Sequence, residues 1–198
     1  MSYRPICDTW ILARAKLKGG QKRYGAYLGG FPERARSLLG VRRDQPMLHV
    51  CGGLARLYPY EGGWGPSDRT LDLDPLCQPD FLQDAREPYP AGFDAVLADP
   101  PYSEVDAAHY PPGASRYPTP NQILRRGLEA VPPGGRVGII HYLLPQPPKE
   151  VRFVACVGII AGFNNRMRVF SVFEKPLTVE APAAQMGLPE IKEPANAG

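Results

Sequence analysis

The sequence predicts an open α/β fold: a mostly parallel sheet with helices on its faces, closed by an antiparallel hairpin on its C-terminal side. Three observations predict it. Apolar runs at 46–50, 93–98 and 137–144 lack the alternation of a half-exposed strand and so look buried on both faces. A segment with helical periodicity separates two of them. Polar turns follow the strands directly, and 24 Pro and 21 Gly among 198 residues punctuate the chain into short elements joined by long ordered loops.

Taken in order, residues 10–18 suit a short basic helix or a mobile arm. Phe31 to Leu39 (FPERARSLL) has Pro32 in its first turn and Gly40 after its end, the punctuation of a helix. Pro46 to Val50 is a strand running into a Gly52-Gly53 turn. Tyr58 to Asp68 is a glycine, proline and aromatic loop in which Trp64 reads as a core lid ahead of a base-stacking surface, and Arg69 to Leu73 is a second short strand. Phe93 to Ala98 is a third strand, stopped by Asp99-Pro100-Pro101-Tyr102, and 103–117 is a polar, proline-rich loop. Thr119 to Val131 combines a threonine cap, Pro120 at the first helical position and apolar residues at 123, 124, 128 and 131. Pro132 to Gly135 ends that helix. Arg136 to Leu144 is a strongly apolar strand, and Val151–Ala161 and Arg166–Phe173 flank a Gly162–Asn165 hairpin turn. Residues 1–23 form a basic arm, 24–175 the domain, and 176–198 a loose Pro/Ala-rich tail.

Composition narrows the function classes. With 43% hydrophobic and 22% charged residues the chain has the balance of one globular domain. No apolar run approaches the roughly 18 residues of a membrane span, and the N-terminus shows no signal-peptide core, so the expectation is a cytoplasmic protein without membrane partners. Four scattered cysteines and three histidines without metal-like spacing speak against a disulfide framework or a metal site. Charge is uneven. Residues 1–43 hold ten Lys/Arg against two acids, a net +8, and the remainder is net −5. A basic third beside an acidic remainder is a face for polyanions, with binding that weakens steeply in salt.

The tetrapeptide Asp99-Pro100-Pro101-Tyr102 carries the sharpest chemical signal. Two prolines hold φ near −65° and remove two backbone donors. Asp99, preceding a proline, is pushed to an extended conformation. The turn therefore presents a carboxylate, a bare carbonyl and an aromatic ring at a strand tip. That set suits a planar group with an NH₂: the two oxygens accept its hydrogens and Tyr102 stacks on its face. On this reading stacking needs only the ring, so phenylalanine at 102 would serve nearly as well. His141 and Tyr142, at the end of a neighbouring strand, are candidates to line the same pocket.

FDAVLADPPYS resembles motif IV of the class I S-adenosylmethionine-dependent amino-methyltransferases, the adenine-N6 and cytosine-N4 DNA enzymes. Leu48 to Gly53 (LHVCGG) resembles motif I, so the resemblance implies that Cys51, Gly52 and Gly53 cradle the cofactor. Asp72 stands where the family has its ribose-binding acid, with Asp74 as rival, and Asp84 where a residue meets the adenine amino group. Tyr27 to Pro32 (YLGGFP) is similar to motif X, which places Gly29 and Gly30 over the cofactor. The resemblance spans about residues 24–175 and implies a Rossmann-like fold with a seven-stranded sheet. The turn after Val50 lacks the acidic start common in the superfamily, which leaves cofactor contacts there to backbone groups.

By the same resemblance the catalytic set is Asp99, Pro100, Pro101 and Tyr102, the cofactor is S-adenosylmethionine, and no metal takes part because the sulfonium methyl is already electrophilic. The partner is a nucleic acid, DNA ahead of RNA. With no recognition domain after the last strand, the 103–117 loop, the basic N-terminus, a homodimer or a separate partner would select the target. An RNA-base methyltransferase is the nearest alternative. A protein-glutamine methyltransferase is disfavoured by Asp in place of Asn at 99, and a non-catalytic nucleic-acid-binding module by the intact turn.

Overall fold

The computed structural model describes residues 4–13, 27–57, 63–110, 117–162 and 166–177. Most of the expected basic arm, most of the C-terminal tail, and parts of the 58–68, 103–117 and 162–165 loops lie outside the described residues. The described strands are β1 (Ile6–Ile11), β2 (Met47–Val50), β3 (Arg69–Asp72), β4 (Phe81–Leu82), β5 (Ala95–Ala98), β6 (Arg136–His141), β7 (Arg152–Ile160) and β8 (Arg168–Glu174). The helices are α1 (Phe31–Leu39), α2 (Glu104–Ala107) and α3 (Pro120–Ala130). All the strands join one sheet in the order β1-β7-β8-β6-β5-β2-β3-β4. β8 alone runs against its neighbours; the other pairings are parallel. The sheet is thus Rossmann-like and mostly parallel with an antiparallel β7-β8 hairpin, and it has eight strands rather than seven.

The extra strand is β1. Trp10 and Ile11, expected in a helix or arm, are the end of a strand paired in parallel with β7 from Ile6↔Ala155 to Ile11↔Ile160. The sheet therefore starts well before residue 24. A basic helix over 10–18 is displaced at its N-terminal end because the β7 edge offers unpaired backbone groups that a strand satisfies and a helix does not.

The sheet separates two apolar layers. On one face Met47, Ala95, Leu97, Ile140, Phe170 and Val157 pack with Phe31, Ala35 and Leu39 of α1. On the other, Leu48, Val50, Val96, Val137 and Phe173 pack with Ile123 and Leu124 of α3. Burial on both faces is the reason these strands show no alternation. Helix α3 begins as its sequence dictates: the Thr119 hydroxyl accepts the Gln122 N–H, Gln122 reaches back to the Thr119 N–H, and Pro120 opens the first turn. Gly40 ends α1 in the left-handed region at φ 69°.

One glycine sets how close α3 lies to the sheet. A Cβ on Gly127 would stand 2.7 Å from Cγ1 and 2.9 Å from Cγ2 of Val137 on β6. In an open helix Gly→Ala gains about 1 kcal/mol. Here Gly127→Ala is expected to lose about 1–3 kcal/mol through overpacking. Urea unfolding checks this, and Val137→Ala in the Gly127→Ala background is expected to restore most of the loss.

Candidate active site

The sheet places the chemistry. β2 lies between β3 and β5, so the chain leaves β2 toward β3 and β4 on one side and returns to β5 and β6 on the other. At such a switch point the loops after the strands diverge and leave a crevice at their carboxyl ends. The Cys51–Gly53 turn, Asp84 and Asp99 follow β2, β4 and β5, and Asp72 ends β3, so all stand at the carboxyl end of the sheet. The Cys51 thiol is pushed well up by burial and then by the fields of Asp72, Asp99 and Asp84 together. It stays protonated at neutral pH and is no nucleophile.

The glycine turn is built for close approach. A Cβ on Gly52 would stand 3.1 Å from both Cβ and the carbonyl oxygen of His49, and the following turn residue, Gly53, has φ 52°. The Gly53 N–H donates to Asp72 Oδ2 at 2.8 Å and the Asp74 N–H to Asp72 Oδ1 at 3.0 Å. Burial raises the Asp72 pKa against these hydrogen bonds. Asp74, the rival acid, uses its carboxylate locally: Oδ1 accepts the Leu76 N–H at 2.9 Å and caps the short 3₁₀ turn Pro75–Cys77. Geometry thus sets Asp72 in the crevice and Asp74 in a cap. Asp84 is buried and held by Arg86, whose Nη2 and Nε donate at 2.8 and 3.1 Å to its two oxygens. A ligand amine at Asp84 would share the carboxylate with that guanidinium. Gly29 and Gly30 lie at the same end of the sheet: the Gly29 N–H donates to the Ala13 carbonyl just past β1, and Gly30 caps α1 with φ 74°. The loop reaches β2 through Tyr27, whose hydroxyl lies 3.3 Å from His49 Nδ1.

The Asp99–Tyr102 turn is tied to β2 by the Asp99 N–H, which donates to the Val50 carbonyl at 3.1 Å. Burial lifts the Asp99 carboxyl to about 6, while the Tyr102 hydroxyl and the Arg168 charge hold it down. The Tyr102 hydroxyl donates to Asp99 Oδ1 at 2.5 Å. The Tyr102 ring centroid lies 4.6 Å from that of Tyr142 and 5.5 Å, edge-on, from His141. His141 Nδ1 accepts the Leu143 N–H at 2.9 Å, so the neutral ring carries its proton on Nε2, 3.3 Å from the Tyr117 hydroxyl. Burial lowers the His141 pKa and keeps it neutral. His141 and Tyr142 therefore do flank Tyr102.

Two residues at this end escaped sequence reading. Tyr117, from the proline-rich loop, also reaches the Tyr102 carbonyl at 3.3 Å. Arg168, at the start of β8, sets its guanidinium carbon 5.0 Å from the Tyr102 ring centroid. A charge at a strand start looks like a solvent-facing residue, and only the antiparallel return of β8 beside β6 brings it here. Trp64 stacks on His49 at 4.9 Å, consistent with a lid on the core. Among the described residues no group of three or more His, Cys, Asp or Glu could hold a metal ion, and no helix is long and apolar enough to cross a membrane.

Comparison with solved structures confirms the fold. The chain superposes on TrmN from Thermus thermophilus with a TM-score of 0.54 at 20% identity, covering 76% of this chain and 50% of that one. It matches a candidate RNA methyltransferase from Pyrococcus horikoshii with a TM-score of 0.52 at 14% identity, over 74% of this chain and 81% of that one. The chain thus shares its Rossmann-like fold with a candidate methyltransferase. A candidate hemolysin from Streptococcus thermophilus shares it too, with a TM-score of 0.52 at 12% identity over 82% of this chain and 71% of that one. The chain spans about half the length of the Thermus protein. No protein-family model matches the chain. No curated protein matches it in sequence.

The Asp99–Tyr102 hydrogen bond revises the sequence reading of Tyr102, which valued only its ring. Tyr102→Phe removes a donor that stabilises the Asp99 carboxylate, so Asp99 is expected to titrate above about 6 in this variant. A ¹³C carboxyl titration by NMR checks it; an unchanged midpoint would count against the bond.

Proposed function

We propose that this chain is an S-adenosylmethionine-dependent methyltransferase acting on an exocyclic amino group of a nucleic-acid base. One observation carries the reading: Asp99-Pro100-Pro101-Tyr102 stands at the tip of β5, joined to the tip of β2 beside the glycine turn and Asp72. The residues present fit the cofactor. Asp72 lies beside the glycine turn at the next strand tip, where its lone pairs can take ribose hydroxyls beside the two N–H donors. When bound, S-adenosylmethionine supplies an electrophilic methyl group on sulfur.

The remaining steps belong to the chain. Asp99 Oδ2 and the Pro100 carbonyl accept the two hydrogens of the amine and aim its lone pair at the methyl carbon. The bound cofactor would supply the methyl group and keep the electron pair of its carbon–sulfur bond. The methylated amine is then cationic and must lose a proton. Asp99, ionised at neutral pH but lifted to about 6, is placed to take it and pass it to solvent.

The target polymer is the open choice. The sequence resemblance favours DNA, and the name of the Pyrococcus neighbour favours RNA. Mass spectrometry of nucleosides from DNA and RNA incubated with the protein and labelled cofactor separates them. A labelled methyl-amino nucleoside in either polymer supports the proposal; label in neither overturns it.

Asp99→Ala is expected to lower single-turnover methyl transfer by about 100-fold or more, with cofactor affinity nearly unchanged, since the lost contacts are to the amine. A wild-type rate in Asp99→Ala would make the turn structural. Asp72→Ala is expected to weaken cofactor binding by about tenfold or more in calorimetry, the size of a charge-assisted hydrogen bond. Unchanged affinity in the folded variant would remove Asp72 from the site.

The basic N-terminal stretch is proposed to hold phosphates. Deleting residues 1–20 would remove β1, so substitution is the cleaner test. Replacing Arg14, Lys16 and Lys18 by Gln is expected to reduce the slope of log affinity against log salt by about 2 for a single-stranded oligonucleotide. An unchanged slope would mean that these charges only solvate the chain.

A further inference from the structure

We propose that Arg168, delivered by the closing hairpin, is a positioning residue for the amine-binding turn: it lies over Tyr102 and holds that ring where its hydroxyl occupies one oxygen of Asp99. The other oxygen is then left for the amine. The inference rests on the reading of Asp99 given above and adds a residue to it from the far side of the sheet's catalytic end.

Three observations carry it. The first is position. Val169 is in register with His141, so Arg168 stands beside the end of β6, where His141 and Tyr142 pack against Tyr102. The second is contact. The guanidinium carbon is 5.0 Å from the Tyr102 ring centroid, and the Tyr102 hydroxyl is 2.5 Å from Asp99 Oδ1. A planar cation stacked on the ring restrains its rotation, and a restrained ring keeps its hydroxyl on one carboxylate oxygen. The third is charge. Arg168 also hydrogen-bonds the Tyr142 side chain, whose ring packs on Tyr102. Its charge acts on Asp99 at a distance and favours the ionised carboxylate.

The groups facing Asp99 are few. Cys51 on the turn after β2 is a protonated thiol, Tyr102 and Tyr142 are phenols, His141 at the end of β6 is kept neutral by burial, and Arg168 on β8 is the cation. The readout is therefore the Asp99 carboxyl itself.

The experiment uses the full chain labelled at its aspartate carboxyls, in wild type, Arg168→Met and Arg168→Lys, each first checked for native fold by circular dichroism. Arg168→Met keeps an apolar stem over the ring and removes the charge; Arg168→Lys keeps the charge and loses the flat stack. In Arg168→Met the Asp99 titration is expected to move above its wild-type midpoint of about 6, and in Arg168→Lys to move in the same direction by less. Single-turnover methyl transfer is expected to fall in Arg168→Met at pH 6 and recover toward the wild-type rate at pH 8.5. The proposal is overturned if a folded Arg168→Met protein titrates Asp99 at the wild-type pH. A wild-type chain that methylates neither DNA nor RNA overturns the functional reading, and the titration then still decides whether Arg168 governs Asp99.

Discussion

Strand β2 has a parallel neighbour on each side, and the site exists because of it. Two backbone hydrogen bonds cross the strand tips: the Cys51 N–H donates to the Leu71 carbonyl at 2.8 Å, and the Asp99 N–H to the Val50 carbonyl at 3.1 Å. They hold the exits of β2, β3 and β5 in one plane. The chain then has to diverge, because the next elements on the two sides lie in opposite directions. The crevice between the diverging turns brings residues 51–53, 72 and 99 together although they are far apart in sequence. Nothing in the individual motifs produces this arrangement; the order of the strands does.

A second constraint sits on the α1 face. Asp68 is buried and accepts from Arg36, from the Gly65 N–H at 2.8 Å and from the Met47 N–H at 3.2 Å, with His49 Nε2 3.3 Å away. Arg36 also donates to the carbonyls of Gly63, Arg42 and Gln45. Burial alone would raise the Asp68 pKa, yet it lies below the ordinary value because His49, Arg36 and Gly65 donate to it; burial lowers His49 and leaves it a neutral donor. The network replaces water for every polar group that α1, β2 and the 63–68 loop bury here. Removing one partner of such a pair costs about 3–5 kcal/mol, since the other charge is left buried. His49, inside β2, is thus part of the frame that carries the glycine turn.

Much of this was legible in the sequence, for physical reasons. The strands buried on both faces, β2, β5 and β6, wrote themselves as apolar runs, and α3 as a capped amphipathic repeat. Their predicted ends ran long where the chain leaves the sheet, as at His141, because apolar residues continue past the last ladder bond. β1 was not legible: ICDTWI mixes polar and apolar residues with only Trp10 buried, and its partner lies about 150 residues away. β4 is two residues long and carries no pattern. In the site, the Asp99 turn announced itself through its prolines. The choice between Asp72 and Asp74 needed the cap geometry, and the Arg86 clamp on Asp84 and the approach of Arg168 needed the fold.

The pairing of β1 with β7 has a consequence for how the chain is made. During synthesis β1 leaves the ribosome before the other described strands, and its ladder partner β7 follows some 150 residues later. Contacts of such long sequence separation carry the full entropy of loop closure and form late. The order β6-β5-β2-β3-β4 can assemble from segments already present, whereas β7, β8 and then β1 complete the sheet after the C-terminal hairpin emerges. Asp99 thus belongs to the part of the sheet whose strands are close in sequence, whereas Arg168 belongs to the part that the long β1–β7 closure completes.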